Sequence, residues 1–180
     1  MGQYNIKVRP NVSRMLIVLG LLVLAVVYLG ILMSSQDPIW FVKGFADRPY
    51  MIVLYNQGER TEYTEGQPEF DVLADAVVES LDQGVARLSG LGLSEVSQRE
   101  AYEKYLTLEV FFPQAVKIHS YFNTGRPTQM LFPITGRHSE LKVVFLGDGG
   151  PYWVNVPALK TMQPIYDALK SLGLNFSSPN

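Results

Sequence analysis

An uncharged apolar run near the N-terminus constrains this chain more than any other feature. Residues 15–33 (MLIVLGLLVLAVVYLGILM) contain 17 hydrophobic residues and two glycines. A transmembrane helix needs about 20 such residues to cross about 30 Å of hydrocarbon, because its backbone polar groups must be satisfied internally. A core helix of a small soluble protein would instead carry polar residues along one face. The run therefore predicts one membrane-spanning helix over residues 15–33.

The ends of the run favour an uncleaved signal anchor of defined orientation. A cleaved signal peptide has an apolar region of about 7–15 residues that ends in small residues, whereas this run is longer and ends in Leu32 and Met33. Residues 1–14 form a basic tail, with Lys7, Arg9 and Arg14 and no acid. The positive-inside rule then predicts a cytoplasmic N-terminus and an extracytoplasmic C-terminal region.

Charge and cysteine content narrow the function of residues 34–180. This region carries 12 basic and 17 acidic residues, a net charge of −5. That sign disfavours nucleic-acid binding, since phosphate backbones attract basic surfaces, and anionic lipid headgroups would repel most of such a surface. The chain has no cysteine, so it forms no disulfide and no thiolate metal site, a composition that favours a bacterial source.

Residue patterns after the run predict an α+β domain. Residues that favour β-strands flank Gln57-Gly58 and predict a β-hairpin. Apolar residues recur every three or four positions from Phe70 to Leu88 and predict a long helix with Gly84 inside it. A short helix follows a capping box at residues 97–100, and a C-terminal helix begins near Met162 and ends at Gly173. Alternation predicts strands at residues 50–56, 60–64, 106–112, 116–122, 129–135, 141–146 and 152–156.

These elements predict a meander of four or five antiparallel strands plus the hairpin, with the long and C-terminal helices packed on one sheet face and the other face partly wet. The domain organisation is then a cytoplasmic basic tail (1–14), a transmembrane helix (15–33), a linker (34–49) and an extracytoplasmic α+β domain (50–176). The lipid bilayer is the expected partner of residues 15–33. The sequence leaves the oligomeric state open.

The two histidines lack a local partner for catalysis or metal binding. His119 falls on the presumed wet face of a strand, and the adjacent Ser120 points to the opposite face, so no nucleophilic pair forms between them. A metal site from His119, His138, Glu140 and Asp148 has none of the usual ligand spacings. We therefore predict no metal, no cofactor and no catalytic histidine.

Acidic side chains supply the one candidate docking surface. Asp71, Asp75 and Glu79 recur every four residues on the exposed side of the long helix. Such a stripe is typical of a solvated face, and it is also suited to a basic partner. Glu109 and Lys117 are expected to pair across adjacent strands, a structural role.

The order of elements, a short tail, one span and an α+β outer domain, resembles that of the extracytoplasmic accessory regulators of bacterial cell-wall sensor kinases. The leading hypothesis is a non-catalytic, single-pass anchored interaction or regulatory module that binds a membrane or envelope protein. The alternative is an anchored glycan- or small-molecule-binding domain, with Tyr152 and Trp153 as an aromatic platform. That alternative includes a hydrolase that uses two carboxylates such as Glu109 and Glu140.

Overall fold

The computed structural model describes residues 11–42, 44–88, 90–154 and 156–177. Its four helices and seven strands follow the chain in the order α1 (Val12–Ser35), β1 (Met51–Asn56), β2 (Glu59–Thr64), α2 (Pro68–Asp82), β3 (Val85–Arg87), α3 (Glu95–Glu103), β4 (Leu106–Phe111), β5 (Gln129–Pro133), β6 (Phe145–Gly147), β7 (Pro157–Leu159) and α4 (Gln163–Ser171).

Helix α1 contains the predicted run and extends beyond it at both ends. The side chain of Asn11 caps its first turn by accepting a hydrogen bond from the Arg14 amide, and Gln36 closes its last turn in the left-handed conformation. Its apolar side chains project outward, so the helix contributes nothing to the domain core along the apolar run. It is long and apolar enough to span a membrane, which makes it a candidate anchor.

Five strands form one antiparallel sheet in the order β2-β1-β4-β5-β6, and β3 pairs with β7 in a separate two-stranded sheet. The β1–β2 hairpin turns through Gln57 (φ 53°) and Gly58 (φ 92°), the pair of positive φ values that suits the twist of adjacent strands. The predicted α+β class, with an antiparallel sheet, a hairpin and an N-terminal apolar helix, is confirmed.

The long helix is shorter than its apolar pattern suggested. Helix α2 ends at Asp82, and Gly84 lies beyond it at φ 88°, a backbone conformation that glycine adopts without steric cost. Val85 therefore belongs to β3, and Leu88 lies beyond that strand. The placement of Gly84 inside the helix was wrong, since the apolar spacing continued by coincidence into the next strand.

The N-cap of helix α3 lies three residues before the one that the proposed capping box supplied. Ser94 is its N-cap and accepts a hydrogen bond from the Ser97 amide, so Ser97 lies in the first turn and does not cap the helix. Helix α4 agrees with the prediction: Met162 precedes it, Pro164 lies in its first turn and Gly173 follows it at φ 86°.

Three predicted strands were wrong in whole or in part. Residues 116–122 alternate between buried and more exposed side chains, yet they form no ladder. The nearby partner segment contains Pro127, which has no amide hydrogen to donate. Of residues 141–146 only the last two are in a strand, β6, and residues 152–154 and 156 lie outside the strands, so the chain pairs with β3 slightly later, through β7.

Both faces of the large sheet are covered, and the expectation of a wet second face was wrong. Ile52, Leu108 and their neighbours pack on one side in a core with α2 and α4. On the other side Leu131 and Phe145 form a second cluster, with Tyr102 of α3 and residues 88, 91 and 93 packed against it. The sequence suggested an exposed face because polar residues alternate along β4. In the structure Thr107 and Glu109 are buried as fully as their apolar neighbours.

Candidate functional site

The junction between α1 and the domain is held by a hydrogen bond between the buried Asp37 carboxylate and the partly buried ring of His119. Asp37 is 2% exposed and lies two residues after α1. Its Oδ2 atom lies 2.8 Å from Nδ1 of His119, and its Oδ1 atom accepts a hydrogen bond from the Ile39 amide. The side chain of Ser35, the last residue of α1, accepts a hydrogen bond from the Asp37 amide. The junction is therefore built into the fold.

Electrostatics at this junction favour the ionised carboxylate. Burial alone would raise the pKa of Asp37, but hydrogen bonds from His119 and the Ile39 amide, together with the nearby charges of His119 and Lys117, hold that pKa below its ordinary value. Burial lowers the pKa of the Lys117 ammonium. The nearby charge of Asp37 acts against that shift. Among the described residues Glu109 accepts hydrogen bonds from tyrosines and Gln129 and forms no ion pair with Lys117, so the expected Glu109–Lys117 pair was wrong.

Two cavities open beside this junction. A cavity of about 310 Å³ adjoins Ser34 at the end of α1 and is lined by Arg87, Asn123 and Trp153. A second cavity of about 300 Å³ is lined by Trp40, Phe41, His119, Tyr121 and Lys160. We call the surface that carries both cavities the anchor-side face; it comprises residues 39–42, 119–126 and 153–154 together with Arg87 and Lys160.

The three acidic residues of the predicted docking stripe divide between two environments. Arg48 donates to Asp71 at 2.7 Å and to Asp75 at 2.6 Å. Each of these side chains is more than 40% exposed, so the ion pairs add little stability, about 0–1 kcal/mol each. Arg48 is nonetheless a basic partner for Asp71 and Asp75 from within the same chain. Glu79 lies outside this arrangement.

Asp75 and Glu79 line an open groove of about 570 Å³ between α2 and α4, together with Asp167. Val72 is 41% exposed at its edge. None of the described residues that line the groove is basic. The groove is therefore negative along both of its walls, and α4 supplies a carboxylate that the sequence stripe did not include.

Glu109 is the centre of a buried polar network. Its Oε1 atom accepts hydrogen bonds from Tyr102 at 2.8 Å, from the Gln129 amide at 2.7 Å and from Tyr152. Its Oε2 atom accepts a hydrogen bond from Tyr55 at 3.2 Å. The carboxylate is thus satisfied by neutral donors, and within the described residues it forms no ion pair.

The tyrosines of this network stay protonated and act as donors. Burial first, and then the charge of Glu109, raise the pKa of Tyr102 and of Tyr152 well above the ordinary value. A hydroxyl held neutral in this way can donate to the carboxylate across the accessible pH range. This arrangement is chemically suited to holding α3 and residue 152 against the sheet.

The other residues singled out in the sequence do not converge. Ser120 donates to the Phe122 carbonyl, and His138 packs edge-to-face on Phe145 at 5.6 Å. Glu140 and Asp148 are exposed. Among the described residues no three histidine, aspartate or glutamate side chains group as metal ligands.

The Asp37–His119 pair and the Glu109 network were missed by the sequence reasoning. Asp37 and His119 are 82 residues apart, and the donors to Glu109 come from four different segments. No local spacing could reveal either one. Comparisons with models of known families, with curated proteins and with solved structures found no match.

Proposed function

We propose that this chain is a single-pass protein of a bacterial envelope whose extracytoplasmic α+β domain binds another membrane or envelope protein without catalysis. The observation that carries the anchoring is helix α1, whose apolar side chains find no cover in the domain. Burying so much apolar surface in lipid is strongly favourable, at about 25 cal/mol per Å². The basic residues Lys7, Arg9 and Arg14 favour a cytoplasmic N-terminus.

The α2–α4 groove is the surface that best fits a protein partner. Asp75, Glu79 and Asp167 give it a single sign of charge, and Arg48 shows that a guanidinium fits on the α2 carboxylates. Complementary charges steer association and fix the register of a complex. The partner segment proposed here is basic, and it replaces Arg48 or binds beside it.

The burial of Glu109 weighs against the carboxylate-dependent hydrolase. A catalytic acid must lie within hydrogen-bond reach of its substrate, whereas Glu109 is 3% exposed and has both oxygens engaged. Tyr152 is likewise buried, so it offers no aromatic platform to a glycan with Trp153. The interaction module is therefore the better-supported hypothesis.

Site-specific photo-crosslinking in cells tests the groove. A photoreactive residue at Val72, on the groove edge, should give one defined crosslinked protein. The matched control is Val96 on α3, which is also an exposed helical valine and should not give that product. The charge reversals Glu79→Lys and Asp167→Lys should abolish the Val72 product. Equal crosslinking from both valines, or a product that survives both reversals, would contradict the groove assignment.

Protease treatment of intact cells or spheroplasts tests the anchor separately. Degradation of residues 34–180 is expected, because the proposed orientation has the domain outside the cell membrane. Complete protection would reverse the orientation, and release of a shortened soluble chain would show that the apolar run is a cleaved signal.

A further inference from the structure

We propose that the anchor-side face of the domain rests on the anionic headgroups of the same bilayer that α1 spans. This inference rests on the anchoring proposed above and adds a second, peripheral contact with lipid. The net negative charge of the domain would repel anionic headgroups from most of its surface, so the proposal concerns this one face.

Contacts at the end of α1 place this face close to the point where the helix leaves the hydrocarbon. Asp37 binds His119, and the side chain of Asn123 donates to Gln36 at 3.3 Å. Tyr28, inside the helix, donates to the Pro38 carbonyl at 2.9 Å and so holds the following segment against the helix. These bonds leave the face little freedom to move away from the lipid surface.

Apolar side chains that stay exposed are concentrated on this face. Outside α1, nine large apolar residues of the described chain are exposed, and five of them belong to the anchor-side face. Those five are Ile39, Phe41, Val42, Tyr121 and Val154. Both tryptophans of the chain, Trp40 and Trp153, line its cavities. Aromatic residues favour the headgroup region, because their rings are apolar and one edge is polar.

The charge of this face is opposite to that of the domain. Arg87 and Lys160 line the two cavities, and the one acid among the described lining residues is Asp82. The Asp82 carboxylate already accepts a hydrogen bond from the Phe45 amide. Arg126 adds a further exposed base. In a domain of net charge −5, this local excess of bases is complementary to anionic headgroups, and each such base contributes to membrane binding.

Tryptophan fluorescence reports on this face directly, since both tryptophans lie on it. The full-length protein is inserted into nanodiscs of phosphatidylcholine, or of an equal mixture of phosphatidylglycerol and phosphatidylcholine, with a headgroup nitroxide lipid as quencher. Quenching should be stronger in the mixture and should fall as sodium chloride is added, because salt screens exposed charges. Equal quenching in the two lipids would overturn the proposal.

A charge-matched pair of variants separates this face from the rest of the surface. Each base removed should lower the equilibrium constant for docking about fivefold. The double variant Arg87→Gln with Lys160→Gln should therefore lose most of the phosphatidylglycerol-dependent quenching. The control, Lys104→Gln with Arg137→Gln, removes two bases beside the ends of β4 and β5 that pair at Thr107 and Pro133. The opposite end of this strand pair is at Phe111, from which the chain continues toward residues 119–126 of the anchor-side face. An equal loss in the control would refute the assignment.

Two further outcomes are informative. If soluble glycerol phosphate, at matched ionic strength, suppresses the quenching, the face holds a soluble anion and the lipid assignment is wrong. If the protein fails to enter nanodiscs at all, the anchor proposal fails; if it enters but shows no phosphatidylglycerol dependence, only the docking proposal fails. Circular dichroism of each variant confirms that the fold is retained.

Discussion

The Glu109 network makes a specific prediction for the free energy of unfolding of Tyr152→Phe. Tyr152 is 7% exposed, and its hydroxyl donates to Glu109 and accepts a hydrogen bond from Gln129 at 2.8 Å. The substitution removes that hydroxyl and leaves the ring. Tyr166→Phe is the matched control, because Tyr166 is 2% exposed and, among the described residues, its hydroxyl forms a hydrogen bond only to the sulfur of Met162, at 3.7 Å.

The magnitude follows from the charge of the acceptor. A hydrogen bond to a charged group contributes about 1.5–3 kcal/mol, whereas a weak neutral bond contributes less than about 1 kcal/mol. Gln129 keeps its separate bond to Glu109 at 2.7 Å, so its amide is not left without an acceptor. We therefore expect Tyr152→Phe to lower the free energy of unfolding by about 2 kcal/mol more than Tyr166→Phe does.

Urea unfolding of the full-length protein in detergent micelles, followed by tryptophan fluorescence, measures the difference. The slope of the free energy against urea should be the same for both variants, so that the midpoints report stability. Variants that agree within about 0.5 kcal/mol would refute the reasoning, because a charge-assisted bond would then contribute nothing beyond a weak contact to sulfur.

Three further predictions use the same unfolding measurement. Leu81→Ala should cost about 2–5 kcal/mol, because Leu81 is 2% exposed in the α2 core; an unchanged midpoint would refute the register of α2. Gly84→Ala should lower the free energy of unfolding by about 1 kcal/mol or more, since Gly84 is at φ 88°. If Gly84 lay inside a helix, the same substitution would instead stabilise the protein. Asp37→Asn should remove a pH-dependent part of the free energy of unfolding. Because the pKa of Asp37 is lowered in the folded state, its carboxylate stabilises the fold at a pH above the ordinary pKa of an aspartate, and that contribution is lost as the pH falls through the lowered pKa. Equal acid sensitivity of Asp37→Asn and the wild type would exclude that contribution.

Local patterns predicted the elements whose causes are local. The apolar run, the hairpin turn at Gln57-Gly58 and helix α4 with its flanking Gly173 each depend on neighbouring residues, and each matches the structure. Errors arose where pairing with a distant segment decides the outcome. Residues 116–122 have the alternation of a strand, but alternation shows only that one side of an extended chain is buried.

The same distinction explains the candidate sites. The acidic stripe on α2 was visible because residues four apart share a helix face, but its ion pairs with Arg48 and the contribution of Asp167 from α4 required the fold. Strand alternation in the sequence predicts that Glu109 lies on an exposed sheet face. Its burial follows from α3 covering that face, and no spacing within β4 encodes that cover.

The two proposed surfaces adjoin each other, and this constrains the partner. Gln83 and Thr161 line the α2–α4 groove, and the residues next to them in the chain, Gly84 and Lys160, line a cavity of the anchor-side face. Docking of that face on headgroups would hold the neighbouring end of the groove at the lipid surface. A basic segment that enters the groove there must itself approach an anionic surface, which also attracts it and raises its local concentration. The two proposals together therefore favour a partner anchored in the same membrane over a soluble one. A partner that crosslinks to Val72 and remains in the soluble fraction after the membranes are sedimented would contradict this combination.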